Sequence, residues 1–406
     1  MTQPMQLHRN NWRVTMVLFA ATGLVESLAF GHLGAFTPLF LRQLHVANAW
    51  VPTWTGILSA IAFIIGLPLL PFWPILADRY GYKLIIIRSS VIEALLFAIA
   101  GSSWNVWVLA LARFLSGFVL GNTGLMMAVQ ANITPRKRLG MAISIISAGS
   151  PTGIAIGPWA GGWIVLHYGI RNLLYLDSLL TLLVILLLSS VLREEPHEIK
   201  HAERARDGIK KGFLAIYRTP MVRALFIVTF MMMYGLNMAQ PFIPIHIMDV
   251  YRMPDVAMKI GKILTLAGAA MALTTPMWGP VGDRLGHTRI WRVGALLGSV
   301  ALAGQALSGS LLTIGASAAL QSTAQGCLGA LTMTQLALYS PTEQRSSILT
   351  LSLAPMQFAW FLGPLTGAFI SRIYPMSPFW LGSFSLFLAW IASGFVLKHT
   401  QRGGVG

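Results

Sequence analysis

The chain is 406 residues long, 55% hydrophobic and only 10% charged, with 29 Lys and Arg against 13 Asp and Glu for a net charge of +16. A water-soluble protein of this length cannot hide so much apolar surface, so lipid is its natural solvent. The lone Cys327 excludes an internal disulfide framework. No His, Cys or acid cluster has metal-ligand spacing, so no metal or cofactor is expected.

A spanning helix needs about 20 mostly apolar residues. By that measure twelve spans are predicted, near 14–41, 51–76, 84–101, 105–130, 138–167, 171–192, 221–247, 257–281, 290–308, 310–337, 346–371 and 378–397. The early apolar runs are too long and too often repeated for a cleaved signal peptide. The only long polar stretch, Arg193 to Pro220, mixes acids with Lys and Arg. It divides the chain into an N-terminal six-helix bundle (1–192), a cytoplasmic linker (193–220) and a C-terminal six-helix bundle (221–406). The other loops are short and leave no room for a soluble catalytic domain.

The cations are distributed by side. About 22 of the 29 Lys and Arg fall in segments that share one face if the N-terminus is cytoplasmic. Arg9, Arg79, Lys83, Arg136 to Arg138, the linker, Arg284, Arg289 and Arg345 are among them. Arg42, Arg171, Arg252, Lys259, Lys262 and Arg372 fall on the other face. This positive-inside bias predicts that both termini are cytoplasmic. The excess charge is therefore topological, and no nucleic-acid partner is expected.

The halves repeat each other. Trp73-Pro74-Ile75-Leu76-Ala77-Asp78-Arg79-Tyr80-Gly81-Tyr82-Lys83 is echoed by Trp278-Gly279-Pro280-Val281-Gly282-Asp283-Arg284-Leu285-Gly286-His287-Thr288-Arg289. The Asp-Arg pairs are 205 positions apart, and the Gly157-Pro158 and Gly363-Pro364 pairs are 206 apart. Two landmarks at nearly one spacing mark an internal duplication, and paired membrane halves suggest a transporter.

These residues resemble the major facilitator superfamily, and within it the twelve-helix drug/proton antiporter family of multidrug efflux type. In the loop after the second span that family has Gly-x-Leu-Ala-Asp-Arg-x-Gly-Arg-Lys. This chain keeps Leu76, Ala77, Asp78, Arg79, Gly81 and Lys83, and departs at Pro74 and Tyr82. In the fourth span Arg113, Gly117 and Gly121 fit the family spacing. In the fifth, residues 153–162 match its Gly-x-x-x-Gly-Pro-x-x-Gly-Gly motif through Gly153, Gly157, Pro158, Gly161 and Gly162. The resemblance implies an all-α membrane protein of two pseudo-symmetric six-helix bundles in a bacterial inner membrane. It favours export over uptake, and its fold forms the pathway within one chain, so a monomer is expected.

Each motif has a physical reading. Asp78, Arg79, Gly81 and Lys83, with Asp283 and Arg284, lie where one helix ends and the next begins. An acid there can cap a helix N-terminus or pair with a cation, which would latch one conformation; simple turn chemistry is the alternative. Gly149, Gly153, Gly157 and Gly161 recur every four residues and form one stripe, which lets backbones approach closely in lipid. Pro158 removes a backbone donor and permits a bend. Ordinary membrane packing explains the stripe equally well, and only the family match makes it an antiporter signal.

Embedded charges are costly and mark pathways or proton relays. Of the acids only Glu26, Glu93 and Asp177 fall within the predicted spans. Glu26 lies about 18 Å into the first span and Arg113 about 12 Å from the far face of a core about 30 Å thick, a similar depth. These four are the proton-coupling candidates, with a Glu26–Arg113 pair as one arrangement and a static ion pair as the alternative. Asp177 could instead line the outer mouth. The C-terminal half has no embedded acid. Asn237, Gln240, Gln357 and Trp360 are the candidates to line a substrate site there, among methionines that suit a permissive apolar cavity. His32 and His246 read as isolated imidazoles near span ends.

The expected activity is proton-coupled export of lipophilic, cationic small molecules by alternating access, with the substrate, protons and the bilayer as partners. The same architecture carrying a sugar, lipid, siderophore or metabolite is the alternative. A polytopic enzyme would need a nucleophile–base or metal constellation, and none appears. A non-transporting sensor or scaffold is a further option. No Gly-x-x-x-x-Gly-Lys-Ser/Thr loop is present, so ATP does not drive the protein directly.

Overall fold

The computed structural model describes residues 11–70, 72–193, 219–340 and 353–402. The expected linker lies almost wholly outside the described residues, as do Arg9, Arg345 and residues 403–406. The described chain is helical, without a strand. Bilayer interiors offer no hydrogen-bond partners, and a helix satisfies its own backbone, so apolar runs of this length fold locally as helices. In chain order these are α1 (Trp12–Gln43), α2 (Val51–Leu69), α3 (Phe72–Tyr80), α4 (Tyr82–Gly101), α5 (Val106–Leu115), α6 (Asn122–Ile133), α7 (Leu139–Tyr168) and α8 (Ile170–Val191). There follow α9 (Pro220–Ala239), α10 (Ile243–Val250), α11 (Val256–Leu285), α12 (His287–Leu307), α13 (Leu311–Tyr339), α14 (Leu353–Ile370) and α15 (Ser377–Arg402). Nine segments among the described residues are long and apolar enough to cross a membrane, so the protein is multi-pass.

Two compact units form. The first takes the described residues up to 36 and those from 61 to 193; the second takes 37–60 and those from 219 onward. Helix α1 thus contributes its first part to one unit and its last turns to the other.

Three predicted spans are divided: 51–76 falls on α2 and α3, and two more break within their apolar runs. The run 105–130 is split into α5 and α6 by a 3-10 turn at Ser116–Phe118 and by Gly121, whose φ of 95° is open to glycine at little cost. Helical spacing therefore stops before Gly121 and does not place it on one continuous face with Arg113. Arg88 braces this break: its Nη2 donates to the Phe118 carbonyl at 2.9 Å, and its guanidinium lies 3.6 Å from the Trp73 ring centroid. The run 221–247 is split into α9 and α10 at Gln240–Phe242, where Pro241 and Pro244 remove backbone donors.

The glycine stripe packs helix against helix. A methyl added at Gly149 would collide with the Ala20 carbonyl; one at Gly153 would lie 2.5 Å from the Leu24 carbonyl oxygen. At Gly157 the nearest atom belongs to Leu28, and at Gly161 the His32 ring sits 2.5 Å from the added carbon. Partners advance by four on both helices, so α1 and α7 run side by side in the same direction with their backbones in near contact. The second unit repeats the pattern. Gly363 faces Tyr234, Asn237 and Met238, and Gly367 faces Met238 and Phe242. Gly161–His32–Phe36 and Gly367–Met238–Phe242 are related residue by residue by 206 positions.

Below this seam Phe19, Trp73, Ile86, Met126, Ile146 and Leu188 form an apolar core in the first unit. In the second, Cys327 is fully buried, with Sγ 2.8 Å from where a Gly294 methyl would stand.

Two outcomes follow from this packing. Gly149→Ala should destabilise the protein by about 1–3 kcal/mol, because backbone atoms cannot yield to the added methyl. Gly329→Ala, with nothing within 4 Å, should be neutral or stabilising; thermal melts in detergent distinguish the two. Cys327 should resist maleimide in the native protein and react fully once denatured in SDS, as read by mass shift.

Candidate functional site

The interrupted fourth span positions the first contact. Gly121 turns the chain so that α6 begins at Asn122, and the Asn122 side chain donates through Nδ2 to Glu26 Oε2 at 3.3 Å. Glu26 is half-buried in the middle of α1. Glu93, on α4, is 2% exposed, and its Oε1 accepts no hydrogen bond. The carboxyl groups of Glu26 and Asp177 both lie within electrostatic reach of it. Asp177, on α8, is fully buried and hydrogen-bonded to His32: Nδ1 lies 2.9 Å from Oδ1 and 3.1 Å from Oδ2. The other ring nitrogen, Nε2, lies 2.9 Å from the Gly157 carbonyl oxygen on α7.

The three predicted acids therefore form a string within the first unit, from Asn122 and Glu26 through Glu93 to Asp177, His32 and Gly157. Arg113 is buried in the same unit, in the last turn of α5. The partner found for Glu26 is Asn122, which the sequence did not single out. Asp177 lies fully buried against His32, whose ring joins the string and is not an isolated imidazole. Both were legible only as polar residues in apolar runs. Among the described residues no group of three potential metal ligands comes together.

The loop motif and its repeat share one geometry. Tyr82 donates its hydroxyl to Asp78 Oδ1 at 2.7 Å, and His287 Nε2 lies 3.0 Å from Asp283 Oδ1. In each case the acid meets the residue four positions on, across a glycine of positive φ, Gly81 at 97° and Gly286 at 92°. Tyr82 and His287 occupy the place of the cation in the family pattern. Lys83 donates to the Ser189 carbonyl at 2.9 Å and ties this turn to the end of α8. Arg79 and Arg284 are exposed.

The substrate-lining candidates lie in the second unit. Asn237 is buried on α9 and donates to the Met233 carbonyl at 2.7 Å. Gln240 is exposed at the α9–α10 break. Gln357 and Trp360 are partly buried on α14, with Gln357 Oε1 lacking a donor. A separate cavity of about 530 Å³ in this unit is lined by Arg42, His246, Asp249, Arg252, Ser371 and Arg372. Arg42 pairs with Asp249 at 3.0 Å, and Arg372 lies 3.9 Å from the Trp50 ring centroid. Apolar residues such as Val51, Phe242, Ile245 and Phe379 complete its lining, so the cavity is mixed in character.

Known proteins resemble the chain along nearly its whole length. It is 25% identical over 366 residues to the multidrug resistance protein MdtG of Klebsiella pneumoniae (strain 342), covering 90% of this chain and 88% of that one. It is 26% identical over 369 residues to MdtG of Salmonella paratyphi A (strain ATCC 9150 / SARB42), covering 90% of each. Among solved structures, a mutant of the nucleoside transporter NupG superposes with a TM-score of 0.77 at 12% identity, over 96% of this chain and 99% of that one. An inward-facing bacterial homologue of the human lysosomal transporter Spinster does so with a TM-score of 0.76 at 15% identity, over 97% and 98%. The structural likenesses show a fold shared with these transporters. The profile of the Major Facilitator Superfamily matches residues 15–261 and 225–404, and the chain belongs to that family.

Proposed function

We propose that this protein is a proton-driven exporter of lipophilic, cationic small molecules. It works as a monomer in a bacterial inner membrane, with both termini cytoplasmic. Two six-helix halves, 1–192 and 221–406, work by alternating access. The observation that carries this reading is the placement of acids. Among the described residues, every deeply buried carboxylate belongs to the first unit, while Asp249, Asp255 and Asp283 of the second are at least 40% exposed. Buried acids are expensive in a membrane and persist where their charge is used.

The working acid is Glu26. Its carboxyl can hold a proton or face a cationic substrate, and Asn122 donates to it in either state. A proton and a cationic substrate then compete for one group. Glu93 and Asp177 extend the path for the proton, and Arg113 limits the total negative charge. Asn237, Gln240, Gln357 and Trp360 offer a mixed polar and aromatic wall for the cargo. The turns at Asp78-Arg79 and Asp283-Arg284 gate the cytoplasmic face, and the packed Gly153–Gly162 segment lets α7 shift without breaking contact. Relatives named for multidrug resistance support a drug-like cargo. An uncharged metabolite carried by the same fold is the second reading, because among the described residues the second unit holds no buried acid to select a cation.

Proteoliposome flux separates these. A panel of cationic dyes should accumulate against their gradient when a pH gradient is imposed, and neutral sugars should not. Glu26→Gln should reduce this accumulation to that of protein-free liposomes while leaving the protein folded. Full activity in that variant would remove Glu26 from the mechanism. The Arg42–Asp249 pair is a third exposed or more on each side, so a double-mutant cycle in thermal stability should give a coupling of only about 0.2–1 kcal/mol.

A further inference from the structure

The His32–Asp177 pair has a proton count that its geometry dictates. Nδ1 faces a carboxylate and Nε2 faces the Gly157 carbonyl, each at 2.9 Å. A peptide carbonyl can only accept, and an ionised carboxylate can only accept. A neutral imidazole carries one N–H and cannot serve both. The two hydrogen bonds coexist only when imidazole and carboxyl together hold two protons. They do so either as imidazolium and carboxylate, or as an Nε2–H imidazole accepting from a carboxylic acid. Both forms are net neutral, which suits a site where His32 is 2% exposed and Asp177 not at all.

Removal of one proton breaks this arrangement. Neutral imidazole and ionised carboxylate retain the stronger, charge-assisted bond through Nδ1–H. Nε2 then presents a lone pair to the Gly157 oxygen, and an attraction becomes a repulsion. The hydrogen bond that breaks is one that joins α1 to α7 within the glycine seam. The His32 ring lies against Gly161, whose missing side chain leaves the space, with Nε2 only 2.9 Å from where a methyl would stand.

We propose that His32 and Asp177 form a proton-loaded latch between α1, α7 and α8, and that loss of one proton to Glu93 loosens the α1–α7 seam during the transport cycle. This deepens the proton-coupled reading above and rests on it; His32 acts as a positioning residue. The transfer balances: from the Nε2–H imidazole and carboxylic acid form, the Asp177 carboxyl gives its proton to the Glu93 carboxylate, leaving Asp177 ionised and Glu93 a neutral acid. The imidazole proton then passes from Nε2 to Nδ1 to meet the new carboxylate, which leaves the Gly157 carbonyl without its donor. Glu93 is suited to receive it, since its Oε1 is buried and accepts no hydrogen bond. The groups around the latch are few. The charges of Asp177 on α8 and Glu26 on α1 both act on Glu93 on α4, and Ser178, next to Asp177, donates to the carbonyl of Ala94, next to Glu93, at 2.8 Å. Arg171 on α8 donates to the Gly101 carbonyl at 3.0 Å. Helix α7 has no titratable side chain between Leu139 and Trp163.

The test needs no substrate, so it can fail while the exporter reading stands. Hydrogen–deuterium exchange of the segment 150–165 in the full-length protein in detergent, corrected for intrinsic rates, is followed from about pH 6 to about pH 9. In the wild type, protection should fall with rising pH by up to about tenfold per unit once the pair deprotonates. In Asp177→Asn the amide donates to Nδ1 while Nε2–H still serves Gly157, so both hydrogen bonds persist with no proton to release. Its protection should be high and independent of pH. A wild type without pH dependence overturns the latch, as does an Asp177→Asn variant with the wild-type profile. Should that variant not fold, the wild-type profile alone decides. In proteoliposomes loaded with tetraphenylphosphonium, Asp177→Asn should lose the pH dependence of efflux that the wild type shows. A wild type with no pH-driven flux of any cation would sink the exporter reading and leave the exchange result to judge the latch.

Discussion

Lipid supplies no hydrogen bonds, and most of this structure answers to that single fact. Helices satisfy their own backbones. Hydroxyls within them turn back to the preceding turn, as Thr22 does to the Leu18 carbonyl at 2.8 Å and Thr55 to that of Val51 at 2.7 Å. Larger polar groups pair inside the bundles: Gln305 donates to Gln321 at 2.7 Å, Gln321 to the Leu236 carbonyl at 3.2 Å, and the Trp291 indole to Thr332 at 3.0 Å. Under this constraint a buried carboxylate with an unserved oxygen stands out, and Glu93 is one.

Without a hydrophobic drive between helices in lipid, close packing has to hold them together. Glycines provide it. The α1–α7 seam in one unit and the α9–α14 seam in the other use the same device at the same relative positions. What differs is the chemistry laid on the seam. His32 in the first unit corresponds to Met238 in the second. The two seams are thus alike in shape and differ in the chemistry laid on them, an imidazole on one and a thioether on the other. The loop motifs diverge in the same way. Asp78 meets a tyrosine and Asp283 a histidine, although both turns keep the glycine that the backbone conformation needs.

Hydropathy and spacing are local properties, and they determined a great deal. The helical class, the multi-pass topology, the duplication and the stripe of glycines on one face of α7 could all be read from residues close together in the chain. The family followed from short motifs in loops and helices. Where the spans break was less legible. Gly121 and Pro241 are weak signals in apolar runs, and helices in membranes tolerate both residues when neighbours such as Arg88 satisfy the freed carbonyls.

The pairings at the site belonged to the tertiary structure alone. Glu26 and Asn122 are 96 positions apart, and His32 and Asp177 are 145 apart. Whether such groups meet depends on the rotation and depth of separate helices, which are set by packing between them and leave no periodic trace in either segment. The sequence by itself marked three acids as embedded. Only the folded chain decided that they form one string, that it ends on an imidazole wedged between a carboxylate and a peptide carbonyl, and that the glycine beneath that ring is there to make room for it.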